Sequence, residues 1–333
     1  MSVIFPTLTN DDESTLVSRY EVPIINFDCL NSNTPKGIHT KQVSTKLVRA
    51  LAKKGFAILV NHGVSLRKTK DMYQALDDFC GLPQQSRAKC ECVAPSHSGY
   101  IKTEEGPSLR ETESRHEFIV SGKNTVLPDE DLPTFRNSVD NLVDDFKVLT
   151  TRLLVAIAVG LGQPSDYFLK NHTNLLNSGN DSSFRMICYS PTYSMKGGEM
   201  RFGPSSETGT FSFFISDCES GFEVKSIYSD RWSRVGYFPG GILVCAGDAL
   251  ARWTNQQMVS LKHRVVVPEH CPRSRHTLGF CVEPDENVEF EALDTSILNP
   301  PQEPVLCRLQ KKKRGVLSAY HHLQRRFREA YAS

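Results

Sequence analysis

The stretch GPSSETGTFSFF (203–214) decides how this chain is read, together with GGILVCAGDALARWTN (240–255), SLKHRVVV (260–267) and RSRHTLGFCVEP (273–284) downstream of it. Each reads as a short β-rich run bounded by Gly, Pro, Ser or Asp, the residues that end strands and open turns. FRMICYSP (184–191) reads the same way. Closely spaced β-runs between residues 184 and 284 suit a jelly-roll barrel.

Upstream the pattern changes period. VPIINFDCL (22–30) is β-like, and a loop with Asn31, Pro35 and Gly37 follows. From Lys41 to Lys54 the apolar positions Val43, Leu47, Val48 and Leu51 recur at helical spacing, and Gly55 ends the run. GFAILVNHGV (55–64) is a buried strand closed by an Asn61-His62-Gly63 turn. A second helix covers Leu66 to Cys80, with Met72, Ala75, Leu76 and Phe79 on one face. The segment 82–121 is polar. A long amphipathic helix spans 132–162, its stripe running through Phe135, Val139, Leu142, Phe146, Leu149 and Leu153. The tail holds a basic run at 311–314 and a short helix from Leu317 to Tyr331. The expected class is α+β, a double-stranded β-helix (jelly-roll) core with flanking helices. Its parts are an N-terminal region (20–130), a bracing helix and connection (131–180), the jelly roll (181–290) and a helical tail (291–333).

Composition excludes several classes. The 333 residues carry a net charge of +1, with 39% hydrophobic and 23% charged residues. That balance is ordinary for a globular protein and gives no reason to expect nucleic acid or a membrane surface as partner. The first residues, MSVIFPTLTNDDES, lack a basic and apolar leader. The longest apolar run, LLVAIAVGLG (153–162), is too short for a bilayer. Ten cysteines without a CxxC pair predict reduced thiols and a cytoplasmic protein. Cys90-x-Cys92, the only close pair, is a weak metal or redox candidate.

Three phrases then point to one family: Gly247-Asp248 with Trp253-Thr254-Asn255, Ser260 with His263-Arg264-Val265, and Arg275-x-Thr277. With GFAILVNHGV near the N-terminus, they resemble the isopenicillin N synthase-like 2-oxoglutarate/Fe(II) dioxygenases, over residues 20–290. That family writes its iron site as His-x-Asp, then a distal His, and follows it with Arg-x-Ser for the cosubstrate. The resemblance implies His263 as the distal metal position, 58 residues after Ser205 (263 − 205). It implies Arg275 and Thr277, with Tyr189 as third contact, as the binding place for 2-oxoglutarate. Guanidinium and hydroxyl suit a carboxylate, and residues two apart on a strand share a face.

Where His-x-Asp belongs, this chain has Ser205-Ser206-Glu207. Non-haem Fe(II) oxygenases hold the metal with two histidines and one carboxylate on one face. Serine is a poor replacement for imidazole. The extra methylene of Glu207 moves its carboxylate by roughly 1–1.5 Å, against a tolerance of about 0.5 Å. Glu207 therefore either reaches a metal after a backbone shift or is an exposed turn residue beside Gly209. A further metal ligand, if one exists, comes from His97, His116, His270 or His276, with His276 alternating away from the interior. Asp248 is expected to cap a turn, and Phe211, Phe213 and Trp253 to be core walls. The leading expectation is a dioxygenase-like protein, impaired or inactive, that binds a small carboxylate or a protein partner. An active Fe(II)/2-oxoglutarate oxygenase with a non-standard site, and a scaffold using its helices or basic tail, are the alternatives.

Overall fold

The computed structural model describes residues 15–16, 21–30, 37–93, 97–104, 114–122, 125–191, 200–218, 221–227, 229, 231–267, 274–295, 297–298 and 318–331. His270, Arg273 and the basic run 311–314 lie outside the described residues.

Two sheets face one another. The larger has eight strands in the order β2(Ile24–Asn26), β3(Phe56–Val60), β11(Ile242–Ala246), β8(Phe211–Ser216), β13(Arg275–Val282), β6(Ser183–Tyr189), β5(Ser114–Val120) and β4(Gly99–Glu104). The smaller has five, in the order β1(Thr15–Leu16), β10(Trp232–Arg234), β9(Phe222–Lys225), β12(His263–Val266) and β7(Met200–Ser205). This is the jelly-roll arrangement, with strands from the N-terminal part extending both edges of the large sheet, β2 and β3 on one side and β5 and β4 on the other.

Strand alternation gives the large sheet two unlike faces. On one face Phe184, Phe213 and Phe280 pack onto Phe146 with ring centroids 5.0–5.6 Å apart. Phe146 belongs to α4(Pro133–Gly160), which α1(Ile38–Lys54) and α2(Leu66–Cys80) flank. Burying a phenylalanine of this kind contributes about 2–3 kcal/mol, so this helix-covered face is the main core. The other face looks toward the small sheet, and the space between them holds the cavity described below. Phe211 and Phe213 are fully buried on the helix side and Trp253 is 1% exposed, as core walls should be.

The helices fall where periodicity puts them, and their ends have local causes. Gly55 takes a φ of +74° and ends α1, its N–H donating to Leu51 O. The Ser65 hydroxyl accepts from Lys68 N at the start of α2. The tail helix α6 runs Ala319–Tyr331. No helix among the described residues is long and apolar enough to cross a membrane.

Two sequence expectations need correction. GGILVCAGDALARWTN is not one β-run: it supplies β11 and then the short helix α5(Asp248–Trp253). Ala, Leu and Arg favour that helical turn once Gly247 has broken the strand. The segment 82–121 reads as polar, yet it supplies the short helix α3(Gln84–Ala88) and the paired strands β4 and β5. Their outward polar residues masked the alternation. Cys90 and Cys92 bracket the meeting of this segment with β4: Tyr100 N donates to Cys90 O, and Cys92 N to Tyr100 O. Neither joins a metal-ligating group among the described residues.

Candidate functional site

The strands carrying the expected metal positions are hydrogen-bonded neighbours. β7 and β12 are antiparallel, and their register sets Ser205 directly opposite His263. Two residues beyond β7, Glu207 turns inward. Its Oε1 is 3.2 Å from His263 Nε2. Its other oxygen accepts from the Ser212 hydroxyl and lies 3.7 Å from the Cys281 thiol. The Glu207 side chain is 13% exposed, so it is not the exposed turn residue that its place beside Gly209 allowed. The His263 ring stacks on Phe222 at 5.2 Å and meets Phe202 and Phe214 at 6.2 Å.

The Gly-Asp and Ser of the sequence phrase have a mechanical task here. A Cβ on Gly247 would stand 2.1 Å from Gly209 O, so only glycine lets the two backbones approach. Asp248 N donates to Glu207 O at 2.8 Å, and the Ser260 hydroxyl donates to the same oxygen at 2.9 Å. Together they fix the backbone that presents Glu207. Asp248 stands at the first position of α5, where its N–H helps to close the turn.

Arg275 begins β13 opposite Tyr189 of β6. It is 1% exposed, and Nε, Nη1 and Nη2 have no hydrogen-bond partner among the described residues. Its guanidinium carbon lies 5.5 Å from the Tyr189 ring centroid. A second guanidinium, that of Arg201, lies 5.0 Å from the same ring, and its Nη2 donates to Ser190 O at 2.7 Å. Thr277 and Ser216 exchange a hydroxyl hydrogen bond at 3.2 Å. A buried guanidinium without an anion is costly, by several kcal/mol. The residues Arg275, Thr277 and Tyr189 therefore fit a carboxylate.

The cavity between the sheets has a volume of about 330 Å³ and takes in Ser205, Glu207, His263, Tyr189 and Thr277. Its far wall is charged. Glu117 on β5 is bound by Arg115, and Arg185 Nη1 donates to it at 3.3 Å. Burial pushes the Glu117 carboxyl up, but the two guanidiniums outweigh this and hold it below the usual range. Glu283 also lines the cavity and accepts from the Thr208 hydroxyl. Burial, with the negative charges of Asp181, Glu207 and Asp248, pushes its pKa up to about 8. Near neutral pH Glu283 is thus largely a protonated acid beside the Glu207–His263 pair.

The candidate third ligands separate by strand face. His116 points away from the cavity, 2.6 Å from the Tyr100 hydroxyl, and burial lowers its pKa to about 4. His276 also points away, onto α2. His97 lines the cavity, yet it does not gather with Glu207 and His263. Among the described residues, two donors converge at the expected metal position and no third His, Cys, Asp or Glu joins them. Such a pair does not fit a facial triad.

Arg115, Glu117, Arg185 and Glu283 bring charge to the cavity wall and Arg201 to the Tyr189 ring, and of these only Glu117 stands out in the sequence. Period-two spacing in SRHEFIV (114–120) does place Arg115 and Glu117 on one face, which was the available signal. Nothing local marks Arg201.

Comparison with known proteins agrees with this fold. Residues 22–133 match the family of the non-haem dioxygenase in morphine synthesis N-terminal region, and residues 180–284 match the 2OG-Fe(II) oxygenase superfamily. The chain is 25% identical over 308 residues to the 2-oxoglutarate-dependent dioxygenase frbA of Dothideomycetidae sp. (strain 11243), covering 82% of this chain and 88% of that relative. It is 23% identical over 311 residues to jasmonate-induced oxygenase 2 of Arabidopsis thaliana, covering 90% and 79%. Full-length Neurospora crassa T7H, solved with alpha-KG and thymine, superposes with a TM-score of 0.78 at 19% identity, covering 95% of this chain and 99% of that one.

Proposed function

Because the chain belongs to the 2OG-Fe(II) oxygenase superfamily, we propose that it keeps the family's carboxylate-binding place while lacking an iron site able to sustain oxygenation. Arg275, Thr277 and Tyr189 hold a small dicarboxylate of the 2-oxoglutarate kind. Arg201 adds positive charge at the same ring. The Glu207–His263 pair contributes a hydrogen bond at the mouth of this subsite. The protein then acts by binding, toward a small carboxylate or a partner that senses whether the cavity is filled.

The observation that carries this reading is Arg275, a buried guanidinium with all three nitrogens unpartnered. Native proteins rarely leave such a group unsatisfied without a ligand to explain it. The loss of activity rests on the register that puts a serine hydroxyl across from His263.

The convergence of Glu207 Oε1 and His263 Nε2 favours a second reading, an active oxygenase in which these two residues and water hold Fe(II). Relatives named as dioxygenases are consistent with it.

Anaerobic titration of the purified chain with 2-oxoglutarate, with and without Fe(II), separates the two. The first reading expects thermal stabilisation by 2-oxoglutarate that does not depend on iron. Stoichiometric Fe(II) with a charge-transfer band, and consumption of 2-oxoglutarate in air, would establish the second. No stabilisation by any small carboxylate would leave a scaffold role.

A further inference from the structure

A second cluster of ligating side chains lies on the opposite, helix-covered face of the large sheet. Cys188 on β6 and His276 on β13 are paired residues of adjacent strands. Strand alternation turns both away from the cavity, since their neighbours Tyr189 and Thr277 line it. The C-terminal turn of α2 packs over them and brings Asp77 and Cys80, three residues apart on one helix face. The ligand atoms of Asp77, Cys188 and His276 all lie within 4.8 Å of one another, and this is the only such group among the described residues. The Cys188 thiol is in contact with Cys80, and both cysteines are free.

We propose that Asp77, Cys80, Cys188 and His276 form a binding site for a divalent metal ion of the zinc class, with Asp217 as the residue that orients the histidine. Four donors of types S, S, N and O suit zinc in a tetrahedral site. In such a site, donors on bonds of 2.0–2.3 Å stand roughly 3.3–3.8 Å apart, so Asp77, Cys188 and His276 need only side-chain adjustment to close, and Cys80 joins as the fourth donor by turning its thiol from Cys188 toward the ion. His276 Nδ1 is 2.8 Å from Asp217 Oδ2, and His276 N donates to Asp217 Oδ1 at 3.1 Å. A carboxylate on the far nitrogen is what fixes the tautomer of a metal-bound histidine. Nε2, now 2.7 Å from Asp77 Oδ1, is the nitrogen that faces the thiols' side and would carry the metal. Asp77 is 46% exposed, which gives an ion a path from solvent. Metal binding releases three protons, one from each thiol and one from Nε2 of the imidazolium, and leaves Nδ1–H bonded to Asp217. The same ion would tie α2 to the neighbouring strands β6 and β13, directly behind Arg275.

The test uses the reduced, chelator-stripped full chain titrated with Co²⁺ alone, followed by Zn²⁺. One equivalent of Co²⁺ should give tetrahedral ligand-field bands with a thiolate charge-transfer band, and Zn²⁺ should displace it. Cys188→Ser and Cys80→Ser should each weaken or abolish the band, and His263→Ala should retain it. Asp77→Asn, at a half-exposed position that keeps the fold, should weaken binding by at least about tenfold. Absence of the charge-transfer band in reduced wild type would overturn the proposal. So would unchanged affinity in Asp77→Asn, or a band lost with His263→Ala, which would place the metal in the cavity instead.

Discussion

Ser205 stands directly across the β7–β12 ladder from His263, so the register sets a hydroxyl, and no second imidazole, opposite that ring. The backbone that would present the ligands is intact, because Gly247, Asp248 and Ser260 still clamp the Glu207 turn. Ser205→His with Glu207→Asp should therefore create one-to-one Fe(II) binding with a 2-oxoglutarate charge-transfer band, against none in wild type. The aspartate withdraws the carboxylate by roughly 1–1.5 Å, back within the tolerance of a working site. A double variant that folds yet binds no iron would mean that the scaffold itself, beyond these two side chains, has drifted.

Arg275 predicts an inverse relation between stability and binding. Without a bound anion its guanidinium is buried and unpartnered. Arg275→Met keeps much of the volume and removes the charge. The ligand-free variant should be more stable than wild type by about 1–4 kcal/mol, and its thermal midpoint should no longer respond to 2-oxoglutarate. A variant less stable than wild type that still responds to the ligand would assign the carboxylate elsewhere, with Arg201 the next residue to change.

Much of this architecture is legible from the chain alone, and the exceptions share a cause. The periodicity of Leu66–Cys80 and the stripe from Phe135 to Leu153 mark helices because a buried face repeats every third or fourth residue. The 58-residue separation of Ser205 and His263 correctly brings two distant positions together, since a jelly roll pairs their strands. What a local pattern could not show was the state of Glu207, because its neighbours Ser212, Cys281 and His263 come from three other places in the chain. Arg201 and Glu283 were missed for the same reason: their partners Tyr189 and Thr208 are non-local. Arg275 and Thr277 stand out because Arg-x-Thr is a local signal, and the unpaired state of Arg275 emerges only in three dimensions.

Glu283 gives a pH dependence with a definite sign. Its folded pKa is raised from the usual carboxylate range to about 8, chiefly by burial. The folded state then holds a proton that the unfolded chain releases above about pH 4.5. Its contribution to stability is whole below that pH and is lost as pH rises toward 8. Glu283→Gln should remove this slope, so that its stability relative to wild type grows between pH 5 and pH 8 in the sense of urea midpoints. A constant difference across that range would mean that Glu283 is ionised in the folded state.

Gly160, the last residue of α4, tests the brace behind the sheet. A Cβ there would stand 2.5 Å from Ser44 O and 2.6 Å from Val48 Cγ1, both on α1. Alanine in place of glycine normally stabilises a helix by about 1 kcal/mol. Here the added methyl meets a backbone carbonyl that cannot rotate aside, and overpacking of that kind costs about 1–3 kcal/mol. The two effects oppose, and the contact with rigid backbone should win, since α1 must be pushed away from α4 along their crossing. Gly160→Ala should lower the urea midpoint by the equivalent of about 1–2 kcal/mol with an unchanged slope. A neutral or stabilised variant would show that α1 does not approach α4 this closely in solution.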